Sequence, residues 1–168
     1  MVCPRKAVAA TGAALATSLC LATAALGLPP FTTAPKSAPG SGGQAQLSNN
    51  RTGCHATFDR FVFQARFGTP RYDVRYVRKI IADGSGATVH LQGSKRLRVL
   101  IRDARGHTQG GTNLLRNVIT PHCSNLRQVK VAGDFEGIVT FGLGLRRKTG
   151  FRVFRLTDPK RLVVDVAH

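Results

Sequence analysis

Asp59-Arg60-Phe61-Val62-Phe63-Gln64-Ala65-Arg66-Phe67 puts Phe61, Phe63, Ala65 and Phe67 on one side of an extended chain and Arg60, Val62, Gln64 and Arg66 on the other. A period of two is that of a half-buried strand. The same texture continues downstream. Tyr72–Lys79 places Tyr72, Val74 and Tyr76 together, and Lys95–Arg102 sets Leu97, Val99 and Ile101 against Arg96, Arg98 and Arg102. Further strands are expected at Arg127–Ala132, Gly137–Leu145, Phe151–Leu156 and Arg161–Ala167. Turn residues separate them: Gly68-Thr69-Pro70, Asp83-Gly84-Ser85-Gly86, Asp103–Gly106, Gly133-Asp134, Lys148-Thr149-Gly150 and Asp158-Pro159. No stretch sustains an apolar stripe at helical spacing, and only Thr112–Val118 invites a helical turn. Short strands punctuated this often predict an all-β fold, an antiparallel β-sandwich of about eight strands in a single domain over residues 51–168.

Upstream the texture is different. Arg5 and Lys6 precede a chargeless Ala/Leu/Thr run from Ala7 to Leu28 that contains Ala22-Thr23-Ala24. A basic start, an apolar run and a small-x-small site read as a secretory signal peptide over residues 1–28, so the protein is expected outside the cytoplasm. The alternative is an uncleaved membrane anchor, the one way in which a membrane would become a partner. Residues 29–50 hold four prolines and Gly40-Ser41-Gly42-Gly43 with a single charge, Lys36. That composition predicts a flexible linker. Loss of the signal also removes Cys3 and Cys20, leaving Cys54 and Cys123, and two cysteines in an exported chain predict one disulfide. The mirrored pairs Cys54-His55 and His122-Cys123 would make a chemically valid zinc set, but neighbouring residues rarely reach one metal together. No metal and no cofactor is expected.

The last third carries a recognisable series: Ala132-Gly133-Asp134-Phe135-Glu136-Gly137, Thr140-Phe141-Gly142-Leu143-Gly144-Leu145, Phe151-Arg152-Val153-Phe154-Arg155-Leu156, and Asp158-Pro159-x-Arg161-Leu162-Val163-Val164-Asp165-Val166. With the upstream segments around Phe58 and Tyr72 it resembles the AMIN-like domain of secreted bacterial proteins, related to the AMIN domain of peptidoglycan amidases and type IV pilus secretins. The resemblance implies a β-sandwich without catalysis of its own that contacts the cell envelope through peptidoglycan. Within residues 1–168 no amidase or secretin pattern accompanies the series.

Residue chemistry agrees with a binding role. The eight carboxylates lie mostly at turns or strand ends, and no spacing gathers them as paired acids or as a Ser/His/Asp set. Neither G-x-S-x-G nor H-E-x-x-H occurs. The chain is therefore expected not to be an enzyme; a gathering of Asp59, Asp73 or Asp103 with a histidine in a cleft would argue otherwise. Arg161 and Asp165 share a strand face four residues apart, and each is expected to meet a cross-strand partner.

Charge points to the partner. The chain has 25 Lys and Arg against eight Asp and Glu, and loss of residues 1–28 lowers the net charge from +17 to +15. Such an excess attracts polyanions, and Arg suits bidentate recognition of carboxylate or phosphate. The candidate ligand residues are the strand row Arg96, Arg98 and Arg102, the turn Arg146-Arg147-Lys148, and Arg152 beyond it. The expected partner is an anionic cell-wall polymer or peptidoglycan. Nucleic acid is disfavoured, since Trp is absent, the phenylalanines alternate inward and export removes the usual partner. The alternatives are a secreted cell-wall enzyme or regulator with a hidden site, and a structural surface protein without a specific ligand.

Overall fold

The structure, a computed structural model, describes residues 27–168. The expected signal peptide, residues 1–28, lies almost wholly outside the described residues. Thirteen strands follow along the described residues. The first seven are β1 (Lys36–Ala38), β2 (Ala45–Cys54), β3 (Phe58–Arg66), β4 (Arg71–Val77), β5 (Ile80–Ile81), β6 (Thr88–Val89) and β7 (Lys95–Arg102). Then come β8 (Ala104–Arg105), β9 (Val118–Ile119), β10 (Leu126–Phe135), β11 (Ile138–Leu145), β12 (Phe151–Thr157) and β13 (Lys160–Ala167). Eight of them run seven residues or longer; the other five are two- or three-residue edge pieces.

Two sheets form the sandwich. One is ordered β1-β4-β7-β11-β10-β9 and the other β12-β13-β3-β2-β8, with β5-β6 as a separate hairpin. Their inner faces meet through the alternating residues. Phe61 and Phe63 of β3 pack on Phe141 of β11 with ring centroids 5.1 and 5.4 Å apart. Leu97, Val99, Ile101, Val139, Leu143, Leu162, Val164 and Val166 complete this core, all essentially without exposed surface. The Cys54–Cys123 disulfide ties the end of β2 to the segment before β10. Both thiols are thereby consumed, and His122 and His55 stand exposed.

Three sequence expectations are corrected. Phe67 does not continue the inner face of β3; its φ of 69° turns the chain and leaves the ring 73% exposed. The segment read as a flexible linker carries β1 and the first half of β2, with Ala45, Leu47 and Asn50 buried. Its few apolar residues suffice because the partner strands supply the rest of the contact. Thr112–Val118 forms no helical turn. Buried Asn50 instead donates from Nδ2 to Arg116 O at 2.9 Å and accepts Arg116 N–H at 2.7 Å, while Asn113 Oδ1 accepts Leu115 N–H at 2.8 Å. These side chains satisfy the backbone locally, which removes the need for a helix. Gly142 and Gly144 of β11 are closely covered. The β5-β6 hairpin lies on them: a Cβ on Gly142 would meet Leu91 Cδ1 at 2.9 Å, and one on Gly144 would meet Gln92 O at 2.1 Å. Ile80, Leu91 and Ala132 form a second small core there.

Candidate anion-binding face

Strand parity puts Arg96, Arg98, Leu100 and Arg102 of β7 on the outer face, opposite the buried Leu97, Val99 and Ile101. Antiparallel pairing with β4 then sets Arg71 across from Arg102, Asp73 from Leu100 and Arg75 from Arg98. Four arginines thus surround one carboxylate. Asp73 accepts from Arg75 Nε at 2.7 Å and from Arg98 Nη2 at 3.3 Å. Burial pushes the Asp73 carboxyl up, but hydrogen bonds and charge from Arg75 and Arg98 more than offset this and hold it below its ordinary value. Arg98 keeps a buried Nε with no acceptor among the described residues.

The Arg71–Arg102 pair is different. Among the described residues neither side chain donates a hydrogen bond or pairs with a carboxylate. Like charges directly opposite on a sheet are destabilising, so this juxtaposition costs stability with no internal return. The pair also lies where two surface depressions join. One, of about 390 Å³, is lined by Ser37, Asp73, Arg75 and Arg98 besides the pair. The other, of about 720 Å³, continues past the end of β7 to Gly40–Gln44, Asp103 and Glu136.

The remaining expected ligand residues fall into three situations. Arg96 is occupied locally, with Nη1 donating to Gly93 O at 2.6 Å and Lys95 O at 3.1 Å. Arg152 is taken up by buried Asp165, which accepts from Arg152 Nε at 2.9 Å and from Arg60 Nε and Nη2 at 2.7 and 3.0 Å. Arg146, Arg147 and Lys148 are exposed on the turn after β11. Their backbone is fixed: Arg146 and Arg147 N–H donate to Asn125 O and Oδ1 at 2.8 and 3.0 Å, and Ser94 Oγ donates to Arg146 O at 2.7 Å. Arg146 shares a depression of about 370 Å³ with Arg127, Gly93 and Ser94. This turn adjoins the start of β7, where Leu145 pairs with Lys95, so the basic turn and the β7 row are continuous along one strand.

Arg71 and Arg75 were not singled out by sequence. The signal was present, since both alternate with Tyr72, Val74 and Tyr76, but only the β4–β7 register brings them beside Arg98 and Arg102.

Of the carboxylates that would argue for an enzyme, Asp59 alone meets a histidine. His168 Nε2 stands 3.4 Å from its Oδ1, and its Oδ2 accepts the N–H groups of Asn125 and Leu126 at 2.6 and 2.8 Å. That carboxylate anchors the start of β10 beside the disulfide, and neither residue lines the depressions described above. Cys54, Asp59 and Cys123 bring their ligand-type atoms within 4.8 Å of one another, but the two sulfurs are bonded together.

Comparison with known proteins gives a single positive result: the sequence model of the AMIN-like domain matches residues 45–168. No curated protein and no solved structure matches the chain. The matched span starts at the first residue of β2 and takes in every strand from there to the last, both sheets included except β1. The all-β sandwich and the match agree, and the chain belongs to the AMIN-like domain family.

Proposed function

We propose that this chain is a secreted, non-catalytic cell-envelope module that binds an anionic wall polymer or peptidoglycan across the outer face of β4 and β7. The observation that carries this reading is the Arg71–Arg102 pair, two guanidiniums placed directly opposite with no carboxylate partner among the described residues, at the junction of two depressions. Arg98 and Arg75 extend the face, and Arg146, Arg147 and Lys148 continue it around the end of β11. Membership of the AMIN-like family supports an envelope-related role, since such domains are associated with extracytoplasmic bacterial proteins and act as binding modules.

Arg152 drops in rank as a ligand residue because Asp165 already holds it, and Arg96 because backbone carbonyls do. The test is co-sedimentation with purified cell wall, intact or stripped of anionic polymer. Binding to intact wall that weakens steeply with salt is expected, because exposed charges are screened over about 8 Å at physiological ionic strength. Binding that is indifferent to salt and to stripping would refute the electrostatic reading.

A further inference from the structure

The larger depression has a chemistry of its own. Arg71 and Arg102 form one wall, and Gly42 and Gly43 form part of the rim. Both glycines have positive φ, 65° and 40°, and neither backbone N–H finds an acceptor among the described residues. Successive N–H groups in such a turn make an anion-binding concavity. Two carboxylates, Asp103 and Glu136, line the same space, each on a left-handed backbone with φ of 53° and 48°. Left-handed non-glycine residues are costly, and such strain clusters at functional sites.

The formal charge of this end therefore balances, two guanidiniums against two carboxylates. Any polyanion would meet repulsion from Asp103 and Glu136 as well as attraction from the arginines, so the two carboxylates favour a ligand that also brings them hydrogen-bond donors. Donors also come from separate elements, the guanidiniums from β4 and β7 and the glycine turn from between β1 and β2. A planar carboxylate accepts best within its own plane, whereas a tetrahedral phosphate offers oxygens in several directions. Carboxylate side chains beside the anion site are acceptors suited to hydroxyl groups.

We propose that this depression is a subsite for a phosphodiester flanked by hydroxylated carbons, that is, a polyol-phosphate unit, held by Arg71, Arg102 and the Gly42-Gly43 turn with its hydroxyls on Asp103 and Glu136. The inference rests on the polyanion-binding reading above and narrows its ligand class. The same unit occurs in a wall polymer and in a phosphatidylglycerol headgroup, and the chemistry of the site is shared by both.

The test uses the full chain with its disulfide intact, titrated calorimetrically at fixed ionic strength. The probes are an oligo(glycerol phosphate) and an oligogalacturonate of equal charge number. The oligo(glycerol phosphate) is expected to bind at least about tenfold more tightly, the effect of roughly one charge-assisted hydrogen bond. Arg71→Gln with Arg102→Gln should erase that preference while leaving weak, salt-sensitive binding of both probes through Arg146–Lys148. Asp103→Asn with Glu136→Gln removes like-charge repulsion for both probes but weakens the hydroxyl acceptors that serve the oligo(glycerol phosphate), so the oligogalacturonate should gain more and the ratio should shrink. A thermal melt checks that each variant is folded. Vesicles of phosphatidylglycerol set against phosphatidylserine identify the source: selective vesicle binding assigns a lipid headgroup, and its absence beside oligomer binding assigns the wall polymer. Equal affinity for the two oligomers would overturn the polyol-phosphate subsite while leaving polyanion binding intact. Failure to bind either would overturn both.

Discussion

Asp165 has no exposed surface and stands between Arg60 and Arg152, its cross-strand neighbours on β3 and β13's other partner β12. Phe31 and Phe58 lie over the Arg152 guanidinium at 4.4 and 5.1 Å from their ring centroids. Removing one member of a buried ion pair strands the others, so Asp165→Ala should cost about 3–5 kcal/mol in urea unfolding. A loss below about 1 kcal/mol would mean that the arginines solvate freely. Asp73 gives a pH prediction. Its folded pKa is held below the ordinary 3.8, so its stabilising contribution is complete above that value and is lost as pH falls through the lower folded pKa. Carbon-detected NMR titration should show the Asp73 pKa rising in Arg98→Gln; an unchanged pKa would deny that Arg98 contributes. At this scale the sequence was half legible. The cross-strand fate of Asp165 followed from strand parity, whereas the capture of Arg152 did not, because residue type is the same for a free and a paired arginine.

At the scale of elements, β7 was read with the observed bounds because its alternation is strict and its outer positions are charged. The strands β3, β4 and β10 to β13 were also recovered with shifted ends, for the same reason. β2 was hidden by its composition. Ala45-Gln46-Leu47-Ser48-Asn49-Asn50 has only two apolar inward residues before a register shift between Ser48 and Arg51, and its order comes from pairing with β3. What covers the glycines of β11 was not legible, since the covering hairpin is set by tertiary packing. Gly144→Val should displace that hairpin, because the new Cβ would collide with the Gln92 carbonyl, a backbone atom that cannot turn aside. A loss of about 1–3 kcal/mol is expected from overpacking, with faster amide exchange at Ile80 and Leu91. Unchanged exchange there would contradict the packing described.

For the whole molecule, charge and cross-linking set the conditions. A surplus of positive charge works against compactness, and the Cys54–Cys123 bridge, closing a separation of 69 residues, works for it. Reduction should cost about 4 kcal/mol of stability in a denaturant titration on the chain-entropy scale, and a loss under about 1 kcal/mol would mean that the bridge is incidental. Net charge led to the expectation of a polyanion from composition alone, but the proposed binding face depends on the β4–β7 register, which no local pattern encodes. The direct test of the binding face is therefore a salt series of binding to purified cell wall, run for the native chain and for Arg71→Glu with Arg102→Glu, both checked for folding. Surface changes of this kind should leave stability within about 0.5 kcal/mol, since one like-charge pair directly opposite on the sheet is exchanged for another. The expected result is a large loss of wall affinity at low salt and a shallower salt dependence in the variant; identical curves for the two proteins would contradict the assignment of the outer β4–β7 face as the binding surface.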